Sequence, residues 1–189
     1  MDASDSELMS RLAAGDDLAL NELMARWSGR ICAFLQRMTG QREAAVDLAQ
    51  ETFVKLYQAR SRYRPQGNFS TYLFAIAANL ARNHSRWKSR HPTVSLDAAD
   101  ADGTMLMPEP EAMDQSPVDA AVSHEQTAAV ERAVLALPLD LREALTLFVH
   151  EQMSYADIAG LTGCSPKAVE TRIYRARQIL KEQLKDLRA

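Results

Sequence analysis

The chain has 189 residues, 47% of them hydrophobic and 25% charged, with a formal net charge of −3. That size suits one or two globular domains, and a charge so near balance does not by itself point to nucleic acid. Cys32 and Cys164 stand far apart with no CxxC partner, which argues against a disulfide framework or a zinc site and leaves them as small buried apolar residues. No signal peptide and no bilayer-length apolar run is legible, so the expectation is a cytoplasmic protein without direct membrane insertion.

No strand-like alternation persists, whereas helical periodicity recurs along the chain. Residues 5–14 and 17–38 read as two helices broken near Gly15. Residues 41–59 form a third, with Ala45, Leu48, Ala49, Phe53, Leu56 and Tyr57 as its apolar face. Its other side carries Glu43, Asp47 and Glu51 at four-residue steps, with Gln50 beside them. Like charges so placed repel by a few tenths of a kcal/mol per pair, so this ridge needs solvent or a basic partner.

Residues 60–68, RSRYRPQGN, read as a loop punctuated by Pro65 and Gly67. A long helix follows over 69–90. Leu73, Ile76, Ala77, Leu80 and His84 share one face; Asn79, Arg82, Asn83, Arg86 and Arg90 gather opposite. Residues 60–90 contain no acid, and the loop adds Arg60, Arg62, Tyr63 and Arg64. Cations that hold phosphates, rings that stack and amides that meet exposed base edges suit single-stranded DNA. For Tyr63, Phe69, Tyr72 and Trp87 taken singly, packing in the core is the commoner use of such spacing.

Residues 91–121 hold four of the seven prolines, scattered acids and no Lys or Arg, which reads as a flexible acidic linker. A helix resumes over 122–137 and ends at Pro138. Another covers 139–151. The expected fold is therefore all-α, with two small helical domains (5–90 and 122–187) joined by that linker.

Residues 154–181, SYADIAGLTGCSPKAVETRIYRARQILK, read as helix, tight turn, helix. Ser154 can cap the first helix, with Asp157 placed for a capping box. Gly163 suits a left-handed turn, and Ser165 and Pro166 cap and open the second helix. Ala159 permits a close helix crossing. Val169, Ile173, Ala176, Leu180, Leu184 and Leu187 make one apolar stripe. Lys167, Thr171, Tyr174, Arg175 and Gln178 point the other way, with Arg172 on a flank. A helix-turn-helix presents such a face to the major groove. An αα-hairpin with a solvated face is the plainer alternative.

Nothing points to catalysis. His124-Glu125 and His150-Glu151 lack the second His of a metalloprotease helix, and no nucleophile elbow or phosphate-binding glycine loop occurs. No cofactor, metal or small-molecule substrate is expected.

Taken together these segments resemble the extracytoplasmic-function (ECF) sigma factors of the sigma-70 family. DLAQETFVKLY (47–57) is similar to the polymerase-binding helix of region 2, FSTYLFAIAANLARNHSRW (69–87) to the segment that melts and reads the −10 element, and 137–180 to region 4, which reads the −35 element. The resemblance implies that Asp47, Gln50 and Glu51 meet the β′ clamp of RNA polymerase core, whose β subunit is a further partner. It implies that Asn79 lies at a pocket for a flipped-out base, beside the 60–68 loop. It implies that Thr171, Arg172, Tyr174 and Arg175 face promoter DNA at −35, and that an anti-sigma factor is the regulator. Asn83 and Trp87 depart from the family, which often has an acid and a second arginine there; this bears on the −10 sequence preference. A linker of 31 residues can extend to roughly 100 Å, enough for elements one to two helical turns apart, about 35–70 Å.

Overall fold

A computed structural model describes residues 3–64, 67–91 and 117–185, with side chains from 125 onward in the fifth helix. The expected linker falls outside these residues over 92–116, as does Leu187 of the expected apolar stripe. The described residues form α1 (Asp5–Ala13), α2 (Leu18–Thr39), α3 (Arg42–Ala59), a 3-10 turn (Arg60–Arg62) and α4 (Phe69–Arg90), then α5 (Pro117–Ala136), α6 (Leu139–Val149), α7 (Tyr155–Thr162) and α8 (Pro166–Gln183). Among the described residues none is in a strand, so the all-α expectation holds.

The first unit is built on α2. Its Leu23, Trp27, Ile31, Phe34, Leu35 and Met38 recur at three- and four-residue steps and are buried. They pack on α3 and α4, which bury Leu48, Phe53 and Leu56, and Phe69, Leu73, Phe74 and Ala77 respectively. Aromatic rings cement this layer edge to face. Trp27 meets Phe69 at 5.8 Å and Phe74 at 6.3 Å, and Phe34 meets Phe74 at 5.3 Å. Such pairs contribute about 0.5–1.5 kcal/mol each beyond their buried area. α1 closes the unit and is capped by a reciprocal box: the Ser4 N–H donates to Glu7 Oε2 (2.6 Å) and the Glu7 N–H to Ser4 Oγ (3.2 Å).

The second unit joins α5 to α8. Leu141, Ala144, Leu147, Ile158, Ala159, Val169, Ile173 and Ala176 make its core. α5 begins at Pro117, five residues before the expected start at 122 and inside the expected linker. Proline is well placed there, because its missing N–H falls where a helix has no acceptor for one.

The two units do not stand apart. α2 packs on α5 and α6, and α4 packs on α7, so one buried cluster runs through both. Gly40 ends α2 in the left-handed region (φ 71°), and a Cβ there would lie 3.1 Å from both Leu135 methyl carbons of α5. The Arg142 guanidinium donates to the carbonyls of Met38 (2.7 Å), Leu137 (3.0 Å) and Leu135, stitching α2 to the second unit. Phe74 is fully buried in the shared aromatic layer. Phe74→Ala is expected to cost about 3–5 kcal/mol, read as a lower urea midpoint with all other conditions fixed.

Candidate nucleic-acid and polymerase interfaces

The helix-turn-helix forms as its local chemistry dictates. Ser154 Oγ accepts from the Asp157 N–H (3.1 Å) and caps α7. Asp157 departs from the capping box: its carboxylate accepts from the Ser154 hydroxyl (2.6 Å) rather than from the backbone. Gly163 turns the chain at φ 69°, and Ser165 Oγ accepts from the Ala168 N–H (3.2 Å) with Pro166 opening α8. Val169, Ile173 and Ala176 are buried, whereas Leu180 and Leu184 are only partly covered, so the stripe fades toward the C-terminus.

The opposite face of α8 is exposed. Lys167, Thr171, Tyr174, Arg175 and Gln178 lie on it, Tyr174 at 62% exposure. Lys167 pairs with Glu170 (2.8 Å), and the Thr171 hydroxyl donates back to the Lys167 carbonyl (2.9 Å). Arg172 turns inward from the flank. It pairs with Asp140 (3.4 Å) and lies 3.7 Å from Cys164 Sγ. Cys164 is therefore a half-buried neighbour of the recognition helix, not a fully buried apolar residue, and Cys32 is likewise only half-buried.

On α3 the acidic ridge stands clear of the core. Glu43, Asp47, Gln50 and Glu51 are exposed, and Glu51 is paired only with Lys55 on its own helix (3.4 Å). Val46 (40% exposed) and Val54 (52%) lie on the same side. The sequence reading left both valines out of the apolar face without singling them out; their offset from the Leu48, Phe53 and Leu56 stripe is the signal that could have found them.

A cleft of about 460 Å³ opens between the end of α3 and α4. Arg62, Tyr72, Asn79 and Asn83 line it, joined by Lys55 and Gln58, which the acid-free-block argument had not included. Tyr72 leans on Tyr63 at 5.1 Å, and burial raises its phenol pKa so that it stays a neutral donor. The other loop cations are folded back. Arg60 lies 3.9 Å over the Tyr57 ring and Arg64 donates to the carbonyls of Ser61 (3.4 Å) and Tyr63 (3.1 Å). Phe69 is core, as packing favoured. Trp87 is half-exposed and stacks on His91 at 5.1 Å, and Arg86 is exposed beside it.

Arg82 goes elsewhere. Its guanidinium pairs with Glu143 of α6 and donates to Asn79 Oδ1, so one residue expected to face DNA meets the second unit instead and holds Asn79 beside it. Glu143 is 2% exposed. Burial pushes its carboxyl above the usual range, with the positive charges of Arg82 and Arg172 opposing that shift.

Two family patterns match the chain: "Sigma-70 region 2" over residues 23–91 and "Sigma-70, region 4" over 127–180. The RNA polymerase sigma-H factor of Pseudomonas aeruginosa is 35% identical over 97% of this chain and 95% of its own. The ECF RNA polymerase sigma-E factor of Haemophilus influenzae is 31% identical over 97% of each. The chain belongs to the ECF group of the sigma-70 family. A solved structure of CnrH, in complex with the cytosolic domain of CnrY, matches 96% of this factor at 26% identity with a TM-score of 0.68, and covers 97% of that chain. The sigma factor RpoE of Bartonella quintana, in complex with the anti-sigma factor NepR, shares the fold at a TM-score of 0.63 and 24% identity, over 87% of this chain and 96% of that one. The factor thus directs promoter-specific transcription initiation with RNA polymerase core. The region 2 match contains the α3 ridge and the cleft, and the region 4 match contains α6, α7 and most of α8.

One group between the units responds to acid. Burial, and then the nearby Arg37 of α2, hold the His150 pKa below its ordinary value. A histidine depressed in this way favours the fold while neutral. Its contribution is whole above the unfolded value of about 6.5 and is lost as the pH falls through the depressed one. Thermal unfolding should show wild type losing more stability between pH 7.5 and 5.5 than His150→Gln does; equal losses would refute the role.

Proposed function

We propose that this ECF factor divides its work among the three exposed surfaces. Residues 5–90 act as the region 2 domain and 122–187 as the region 4 domain. Asp47, Gln50 and Glu51, flanked by Val46 and Val54, dock on the β′ clamp of polymerase core. An acidic ridge with apolar flanks suits a basic helical partner, since the charges steer and the valines lose water.

The cleft takes an unpaired base of the −10 element. Asn79, Asn83 and Arg62 supply donors and acceptors, and Tyr72 supplies a ring wall. Extruding a base costs a few kcal/mol, which stacking and edge hydrogen bonds offset. Arg60, Tyr63, Arg64, Arg82 and Arg86 surround the strand. At −35, Lys167, Thr171, Tyr174 and Arg175 meet the major groove, and Arg172 steadies the helix from its flank.

The observation that carries this reading is the recognition helix. Its capped start and buried Val169, Ile173 and Ala176 leave Thr171, Tyr174 and Arg175 exposed together on one face. By analogy with CnrH and the Bartonella factor, whose structures hold partner proteins, an anti-sigma factor regulates this chain. The factor acts by recognition rather than catalysis, needs no cofactor, and works in the cytoplasm. In support, no helix of the described residues is long and apolar enough to cross a membrane.

In vitro transcription with purified core and a promoter library tests the reading. Core-dependent, sequence-selective transcripts are expected. Arg175→Ala should weaken use of the best promoter by about 1–3 kcal/mol and relax the −35 preference. Asp47→Lys should abolish core binding while leaving the thermal midpoint near wild type. Core binding without transcripts would make the chain a decoy, and duplex binding without core would make it a repressor.

A further inference from the structure

The recognition helix α8 is cationic where it faces outward, with one exception. Between Asp157 and Glu182 the chain holds a single acid, Glu170, against Lys167, Arg172, Arg175, Arg177 and Lys181. Glu170 is exposed, its side chain 49% accessible. It stands three residues after Lys167 and four before Tyr174, so the three share one edge of the exposed face, on the side away from Arg172. Double-stranded DNA carries about one negative charge per 1.7 Å of its axis. A carboxylate set against it repels the phosphates and gives up affinity unless it meets a donor there.

The helix itself gains little from this acid. Glu170 lies past the first turn of α8, which holds no acid, and the pull of a helix N-terminus on a carboxylate fades within that turn. Its pair with Lys167 (2.8 Å) is a surface one, with the Lys167 side chain 80% exposed, and it runs in the weaker order, cation before acid. Val169, Ile173 and Ala176 fill the buried side of the helix without it.

In the major groove the four bases ask different things of a carboxylate. Guanine shows two acceptors, N7 and O6, and thymine shows O4; all three repel it. Adenine offers its N6 amino group beside the acceptor N7, which opposes a second carboxylate oxygen. Cytosine alone offers a donor, its N4 amino group, on an edge with no acceptor of its own. We propose that Glu170 is a base-reading residue of the −35 surface and selects cytosine by accepting from that amino group. Lys167 releases it for this, exchanging the carboxylate for a backbone phosphate. The inference rests on the reading of α8 as the −35 helix and adds an acid to the residues assigned there.

The test is in vitro transcription with holoenzyme on a promoter library in which every −35 position carries each base in turn. Wild type should favour cytosine at one position, on one strand, by about fivefold or more. Glu170→Ala should flatten the preference at that position alone, losing activity on the cytosine promoter and gaining it on the others. Glu170→Gln should move the preference toward adenine, because an amide can pair with both N6 and N7. Lys167→Ala should weaken all promoters alike and keep the cytosine preference. Glu170 is exposed, so the thermal midpoints of its variants should match wild type. A uniform gain across the library with Glu170→Ala would reduce the acid to a repeller of phosphate and overturn the proposal. No change with Glu170→Ala, or a wild type indifferent to cytosine, would overturn it as well. So would loss of the preference in Lys167→Ala, since Glu170 would then act only through Lys167. Arg175→Ala separates this inference from the reading beneath it. If Arg175→Ala relaxes its own position while Glu170→Ala relaxes none, Glu170 is no reader and the −35 assignment stands. If neither variant alters any −35 preference, that assignment fails and the proposal with it.

Discussion

A carboxylate taken out of water must be answered by nearby positive charge, or it will give up its own. Glu143 is such a group, 2% exposed at the centre of the molecule. Arg82 reaches it from α4, and Arg172 adds its charge from α8. Meeting the need of this one acid brings together α4, α6 and α8, the helices that carry the candidate DNA surfaces and the one between them. The Arg30–Glu151 pair and the carbonyls gathered by Arg142 close the junction around it.

The junction continues the apolar cores on either side and adds ion pairs to them. Within the first unit the helices are fixed by rings and aliphatic side chains, with Trp27, Phe34, Phe69 and Phe74 in edge-to-face contact. Such packing has no alternative partner and resists rearrangement. Across the junction charge pairs, Arg82 with Glu143 and Arg30 with Glu151, are added to an apolar core that runs through both units.

The helical elements and the recognition turn were legible in the sequence because their causes are local. Ser154, Gly163, Ser165 and Pro166 act through backbone atoms within a few residues, and all four do what their chemistry requires. The buried stripes of α2, α3 and α4 follow from spacing alone. Where the reading missed, the cause was not local. Arg82 looks like one more cation of an acid-free helix, and only a residue 61 positions away in the chain accounts for its direction.

The sequence by itself determined the class, the order of the helices and which face of α8 stays in water, because periodicity and caps are written in neighbouring residues. It also supplied the resemblance that the family matches bear out. Only the tertiary structure decided that the two units pack on each other and that Arg82 faces α6. Only it showed a cleft joining Arg62 to Asn79 and Asn83. These depend on which buried charge finds which distant partner, and no spacing along a chain encodes that choice.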